Sequence, residues 1–330
     1  SYADLASRVA GIQRLLWERV PDAHVGLLLA DDLETYASIL ALWLSGKAFV
    51  PLNPLFPEER NRSIIKQVGL KLVLHSAASC PFAGEWECLC TEGQEGGGNI
   101  PVLKEFSMDR DAYVLFTSGS TGQPKGVRIS FGNLDAFVRD FIDHPSYELG
   151  PDDRFLQIYD LSFDASVHCY TVPLCLGASA FTVPPEGIKY LAAYRLMHEK
   201  ELSVVKMPPS ALAYLKPYFP SIHLPHLRYC LFGGEAFPVS LVEEWESCVP
   251  HALVQNVYGP TELTINCLIY DWNPPDGKRK QEGGVASIGR TFGSNRALVL
   301  NEKDQRAKAG ERGELRVAGG QVSPGYWKLP

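Results

Sequence analysis

The run Tyr113-Val114-Leu115-Phe116-Thr117-Ser118-Gly119-Ser120-Thr121-Gly122-Gln123-Pro124-Lys125-Gly126-Val127 leads from an apolar stretch into a hydroxyl- and glycine-rich loop that closes on one lysine. Residues of these types at this spacing can grip phosphate. Gly119 and Gly122 let backbone N–H groups approach an anion with no Cβ in the way. Thr117, Ser118, Ser120 and Thr121 add hydroxyl donors, and Lys125 adds a positive charge. A Walker A loop needs a Gly-Lys-Ser/Thr triplet, which Pro124-Lys125-Gly126 does not supply. A plain Gly/Ser turn between two strands is the structural alternative.

Two ionisable residues stand in otherwise apolar or small-residue runs. Asp164 lies between Phe163 and Ala165-Ser166-Val167-His168, where an unpaired carboxylate is costly to desolvate. It either meets a cationic partner or caps a helix. Lys206 lies in Val204-Val205-Lys206-Met207-Pro208-Pro209, where a buried ammonium pairs with an anion, loses its proton or snorkels to the surface. An acidic or amide side chain, as of aspartate or asparagine, is one candidate partner. His168 reads as a neutral pocket wall rather than a catalyst. Thr261-Glu262, taken alone, reads as a helix cap followed by a first-turn acid.

These residues need elements to hold them. Leu5, Val9, Ile12, Leu16 and Val20 recur at helical spacing, and residues 25–29 form a short apolar strand candidate. Asp31 or Asp32 caps the next helix, whose stripe is Leu33, Tyr36, Ile39, Leu40 and Trp43, and Gly46 stops it. The strand, helix, strand rhythm continues through 48–50, 59–68 and 70–74, which predicts an α/β lobe with parallel strands. Strands at 155–158, 179–183, 204–207 and 228–232, with helices at 190–200 and 239–248, predict a second. Residues 91–99 read as an exposed polar loop. After Trp272, a Pro/Gly/Lys loop and alternating runs at 296–300 and 314–318 predict a small β-rich part.

With 330 residues, 45% hydrophobic and 21% charged, the chain can bury a large core, and global disorder is excluded. A net charge of −7 argues against a broad electrostatic grip on nucleic acid or anionic membrane, so a polyanion such as ATP must be met locally, as at Lys125. No apolar run reaches the roughly 18 residues of a membrane span, and no signal peptide opens the chain, so a soluble, cytoplasmic protein is expected. The eight cysteines show no CxxC or Cys/His spacing and read as buried thiols.

Three further segments and a paired fourth accompany the loop: Ser162-Phe163-Asp164-Ala165-Ser166-Val167, Leu231-Phe232-Gly233-Gly234-Glu235, Asn256-Val257-Tyr258-Gly259-Pro260-Thr261-Glu262, and Gly313-Glu314-Leu315-Arg316-Val317 with Gly325-Tyr326. In this order and spacing they resemble the adenylate-forming, AMP-binding superfamily over the whole chain. The likeness is closest to amino-acid adenylation domains of nonribosomal peptide synthetases and to D-alanine:carrier-protein ligases.

The resemblance implies an α/β fold with two stacked α/β subdomains in 1–268 and a partial β-rich, distorted-barrel subdomain in 269–330. It implies ATP and Mg²⁺ as cofactors and attack of a substrate carboxylate on the α-phosphate. The aminoacyl group then passes to the phosphopantetheine thiol of a carrier protein. By the same resemblance Thr117, Ser118, Gly119, Ser120, Thr121, Gly122 and Lys125 hold the β- and γ-phosphates, Thr261 touches the α-phosphate, and Glu262 holds Mg²⁺. Tyr258 stacks on adenine, Asn256 bonds its amine, and Gly234, Glu235, Ala236 and Gly259 border it. Asp164 binds the substrate ammonium, within a pocket completed by Ala165, His168, Lys206, Leu231, Gly233, Val257, Ile265 and Asn266.

Alternatives stay open. The segment Leu231-Phe232-Gly233-Gly234-Glu235-Ala236-Phe237-Pro238 looks like the D-alanine ligases, which usually carry a cysteine near the position of Gly233. An acyl- or aryl-CoA ligase and a non-catalytic nucleotide-pocket module are the other readings. Family members continue into an Arg-Thr-Gly-Asp segment and a lid domain bearing a lysine. The expectation is that these 330 residues are the large N-terminal domain alone, lacking that lid.

Overall fold

A computed structural model describes residues 1–330 except 20, 21, 98, 118–123, 275, 276, 329 and 330, and except the side chains of Glu18 and Arg19. Two compact units emerge, one of Ser1–Leu134, Asp160–Phe163 and Ser323–Pro330, the other of Asp135–Tyr159 and Asp164–Val322.

In the first unit helix α1 (Tyr2–Arg19) precedes strand β1 (His24–Leu28), α2 (Leu33–Leu44), β2 (Ala48–Leu52), α3 (Glu58–Val68), β3 (Leu72–His75) and β4 (Glu87–Cys90). Asp32 starts α2, its carboxylate accepting from Thr35 N at 2.8 Å. Gly69, at φ 82°, ends α3 in the left-handed conformation that glycine adopts without a steric penalty. Next come β5 (Asp111–Thr117), β6 (Lys125–Ser130) and α4 (Phe131–Ile142), the last of which continues into the second unit. The sheet order is β4-β3-β1-β2-β5-β6. Its strands run parallel, as the strand, helix, strand rhythm predicts for β1 to β3, except β6, which lies antiparallel to β5. The cause is length: a parallel return needs a dozen or more residues, and the link from Thr117 to Lys125 is far shorter. Val50, Ile65, Val73, Phe82 and Val114 pack the core on one side of this sheet. The Gly325-Tyr326 segment runs beside β6, with Trp327 N donating to Gly126 O at 2.7 Å.

The second unit holds β7 (Arg154–Gln157), α5 (Asp164–Leu176), β8 (Ser179–Thr182), α6 (Lys189–Glu199), β9 (Val204–Met207), α7 (Pro209–Leu215), β10 (Tyr229–Gly233), α8 (Val239–Glu246), β11 (Leu253–Tyr258) and β12 (Leu268–Asp271). After them come β13 (Gln281–Glu282), β14 (Val285–Ala286), β15 (Arg290–Thr291), β16 (Arg296–Leu300) and β17 (Glu314–Ala318). The seven-stranded order is β15-β12-β11-β10-β9-β7-β8, parallel from β8 to β11 and antiparallel at β12 and β15. Met207, Phe232, Phe237, Trp245 and Trp272 are fully buried in its core. The β-rich part stays open: β13–β14 and β16–β17 are separate two-stranded ribbons, and they close no barrel among the described residues.

Among the described residues no helix is long and apolar enough to cross a membrane. Cys80, Cys169, Cys230, Cys248 and Cys267 are buried, whereas Cys88 is half-buried and Cys90 and Cys175 are exposed. Cys90 and Cys175 depart from the buried-thiol expectation, Cys90 because it ends the edge strand β4 and Cys175 because it falls in the last turn of α5.

Candidate functional site

The five parallel strands of the second unit end on one side, where α/β proteins leave room for ligands. A cavity of about 60 Å³ lies there. Asp164 and Ala165 border it from the start of α5, Lys206 from β9, Gly233 from β10 and Val257 from β11. Ile265 and Asn266 border it from the loop behind the turn Thr261–Leu263. His168 and Leu231, also expected in the substrate pocket, do not line it. His168 stands behind Lys206, packed against the rings of Phe137 and Phe141, and Leu231 is fully buried inside the sheet. Tyr159, which sequence reasoning missed, does line it. Its signal was its position just past the end of β7, where a parallel strand delivers side chains to a crevice.

Two glycines shape the walls. A Cβ on Gly233 would meet Val257 O at 2.6 Å, and one on Gly259 would meet Asn266 Cα at 2.5 Å. The backbone opposite Gly259 is unusual: Thr264 and Ile265 both have left-handed φ, 53° and 75°. For a β-branched residue this is a strained state that neighbours must enforce. Gln321, fully buried, enforces it. Its Nε2 donates to the carbonyls of Leu263, Thr264 and Asn266 at 3.2, 3.0 and 2.9 Å, while its Oε1 accepts from Asn295 Nδ2. Thr264 Oγ1 donates to the Gln321 backbone carbonyl at 2.7 Å.

The polar groups are compressed. Lys206 Nζ donates to Asn266 Oδ1 at 2.9 Å and stands 3.2 Å from His168 Nδ1. Asp164 is half-buried, and its carboxylate is approached by the Thr261 hydroxyl and the N–H groups of Ala165 and Ile265. Its Oδ2 is nonetheless sealed from solvent with no hydrogen-bond partner, as are Asn266 Nδ2, His168 Nε2 and Tyr159 Oη. Burial pushes Asp164 up to about 6, with the Lys206 charge opposing. Burial likewise draws Lys206 down to about 8, with Cys169 and Asp164 opposing. Burial, then the Lys206 charge, holds His168 well below its ordinary value, with Asn266 opposing.

These shifts make stability depend on pH. The folded Asp164 has the higher pKa, so its contribution is full below about 4 and is lost as pH rises to about 6. For Lys206 the folded value is the lower one, so its contribution is lost as pH falls from about 10.5 to about 8. Between about 6 and 8 both groups destabilise the fold. A rise from pH 4 to 7 is expected to cost roughly 2–3 kcal/mol through Asp164. Urea unfolding of the protein and of Asp164→Asn across that range checks this, and parallel pH profiles would contradict it.

The other expected site residues fall around this frame. Tyr258, at the end of β11, is 38% exposed. Asn256 donates from Nδ2 to Ser287 O at 2.9 Å. The carboxylate of Glu235 is taken up at the start of α7, by Ser210 N at 2.9 Å and Ser210 Oγ at 3.0 Å, so only the backbone of exposed Gly234, Glu235 and Ala236 is left to face a ligand. Thr261 and Glu262 are half-buried in their short turn. In the first unit Thr117 and Lys125 pair across β5 and β6, and Lys125 Nζ sits 5.7 Å from the centre of the Tyr326 ring. Ser118, Gly119, Ser120, Thr121 and Gly122 lie outside the described residues.

A family model described as AMP-binding enzyme matches residues 1–327. Tyrocidine synthase 1 of Brevibacillus parabrevis is 29% identical over 343 residues, covering 100% of this chain and 30% of the synthase. Gramicidin S synthase 2 of Aneurinibacillus migulanus is 29% identical over 337 residues, covering 100% of this chain and 7% of the synthase. The chain thus spans less than a third of either curated relative. Among solved structures, the N-terminal subdomain of Klebsiella oxytoca NpsA in complex with 3-hydroxyanthranilyl-AMSN superposes with a TM-score of 0.84 at 24% identity, covering 100% of this chain and 83% of that one. That last likeness is one of fold.

Proposed function

The chain belongs to the AMP-binding enzyme family, and from that membership we propose that it activates an amino acid as an aminoacyl-adenylate for transfer to the phosphopantetheine thiol of a carrier protein. Residues 1–268 are the adenylating core in this reading, and 269–330 a partial β-rich subdomain. The observation that carries it is Asp164, whose sealed and unpartnered Oδ2 borders a small cavity and calls for a cation. An α-ammonium supplies that cation. The relatives named as synthases of tyrocidine and gramicidin S support an amino-acid substrate.

In the reaction a carboxylate oxygen of the amino acid bonds to the α-phosphorus of ATP. The bond from that phosphorus to the bridging oxygen breaks, and pyrophosphate leaves with the electron pair. The carrier thiolate then bonds to the acyl carbon as AMP departs. Two anions must meet in the first step, so the protein acts by positioning and by charge, without a nucleophile of its own. Asp164 anchors the ammonium end. Thr261 leaves the Asp164 carboxylate to the ammonium and turns its hydroxyl to the α-phosphate, and Lys125 with the hydroxyls and N–H groups of its loop takes the β- and γ-phosphates. Tyr258 presents its ring to adenine. Asn256, with Nδ2 committed to Ser287, offers its carbonyl to the adenine amine.

The donor set suits Mg²⁺. Glu262 offers one oxygen ligand, and no group of three or more His, Cys, Asp or Glu forms a protein cage among the described residues. A hard cation that takes one carboxylate completes its shell with phosphate and water. Held by Glu262, such a cation would neutralise triphosphate charge.

Calorimetric titration with non-hydrolysable aminoacyl-adenylate analogues, against AMP and a 3-hydroxybenzoyl-adenylate analogue, tests this reading. At least one aminoacyl analogue is expected to bind about 100-fold more tightly than AMP, given the worth of a sealed charge pair. Tighter binding of the hydroxybenzoyl analogue than of every aminoacyl one would move the assignment to acyl or aryl acids.

A further inference from the structure

We infer that the side chain admitted to the cavity is a carboxylate of aspartate size, received by Lys206 and Asn266. The inference rests on the proposed role of Asp164 as the partner of the substrate ammonium. Three observations in the second unit carry it, concerning donors, charge and size.

The hydrogen-bond network assigns the donors. At neutral pH Lys206, lowered only to about 8, is mostly an ammonium and can only donate. His168 Nδ1, 3.2 Å away, must therefore accept, which places the ring proton on Nε2. Asn266 Oδ1 also accepts from Lys206, which leaves the Nδ2 amide as a donor. That Nδ2 has no partner and belongs to a residue 1% exposed. Lys206, 4% exposed, keeps one N–H beyond its two acceptors. Tyr159 Oη borders the same cavity without a partner, and burial keeps it protonated, so it can donate as well. Apart from Asp164, these unpartnered groups can all donate.

Charge separates an acid from its amide. The ligand-free cavity is balanced, with Asp164 negative and Lys206 positive. Once an α-ammonium occupies Asp164, one positive charge at Lys206 is left over in a buried site, which is strongly unfavourable unless an anion joins it. A side-chain carboxylate restores the balance and accepts from both Lys206 and Asn266. The carboxamide of asparagine brings no charge and turns one donor group toward others. An amine side chain adds a third cation. Size then sets the length. The cavity is about 60 Å³, the share of roughly two waters, and Ala165 and Gly233 wall it, which suits a carboxymethyl group and excludes long or aromatic side chains.

The decisive measurement compares dissociation constants of aspartyl-, asparaginyl-, alanyl- and 3-hydroxybenzoyl-adenylate analogues on this chain, with AMP as reference. Aspartyl is expected to bind at least about tenfold more tightly than asparaginyl, and Lys206→Met to abolish that preference while tightening alanyl binding, since the ammonium and Asp164 then balance without a surplus charge. Equal or tighter binding of the asparaginyl or alanyl analogue overturns the inference and leaves the amino-acid reading standing. Binding of the hydroxybenzoyl analogue alone, or of none, overturns both. The comparison of analogues on the unaltered chain decides the matter even if Lys206→Met fails to fold.

Discussion

Asp164→Ala is expected to lower the affinity for an aminoacyl-adenylate analogue by about 10²–10⁴-fold, since removing one partner of a sealed charge pair costs about 3–5 kcal/mol. AMP binding should stay within a few-fold, because no adenine or phosphate role is assigned to this side chain. The loss has two sources. The ammonium forfeits its partner, and in the bound state it then faces the Lys206 charge with no carboxylate between them. The same substitution relieves the unliganded protein of a carboxylate that burial disfavours, so its unfolding midpoint at pH 7 should not fall with the affinity. A variant that binds aminoacyl analogues as the parent does would remove Asp164 from the site.

A second large effect is expected at a residue that touches no ligand. Gln321→Leu keeps most of the side-chain volume but withdraws the donors that serve the carbonyls of Leu263, Thr264 and Asn266. Unmade hydrogen bonds to buried carbonyls cost about 1–3 kcal/mol each, so a loss of roughly 3–5 kcal/mol in urea unfolding is expected. Because those bonds hold Ile265 and Asn266 at the cavity, affinity for aminoacyl analogues should drop about tenfold or more under conditions where the variant is still folded. Gln321 would be a positioning residue. A stability loss with unchanged affinity would reduce it to a structural one.

The strands at 204–207, 296–300 and 314–318 were legible to the residue, because alternation or an unbroken apolar run bounded by turn residues is a local signal. The cap of α2 was legible only as Asp31 or Asp32, and the structure takes Asp32. Asp164, Ala165, Gly233 and Val257, which the structure gathers from α5, β10 and β11, sit at or near element ends within the quoted motifs, whereas Lys206 of β9 stood out as a charge in an apolar run. What stayed hidden depends on partners distant in sequence. Nothing near Gln321 announces that its amide serves residues some 55 positions earlier. Nothing around Ile265 signals a left-handed backbone, which its β-branched side chain resists. His168 and Leu231 matched a pattern, yet they lie behind the wall rather than on it, a distinction set by side-chain direction that spacing does not convey.

The left-handed backbone at Thr264 and Ile265 makes this pocket unevenly evolvable. Ala165, Lys206 and Val257 project from a helix and two strands, whose hydrogen bonds are indifferent to side-chain identity, so the chemistry of the cavity can drift at those positions while the backbone stays put. Positions 264–266 lack that freedom. An exchange there changes a conformational strain that Gln321, Asn295 and the close approach of Gly259 hold in common, so it succeeds only alongside compensating changes. New selectivity is therefore more accessible through the regular elements, and a redesign of the pocket has its clearest path at residues 165, 206 and 257.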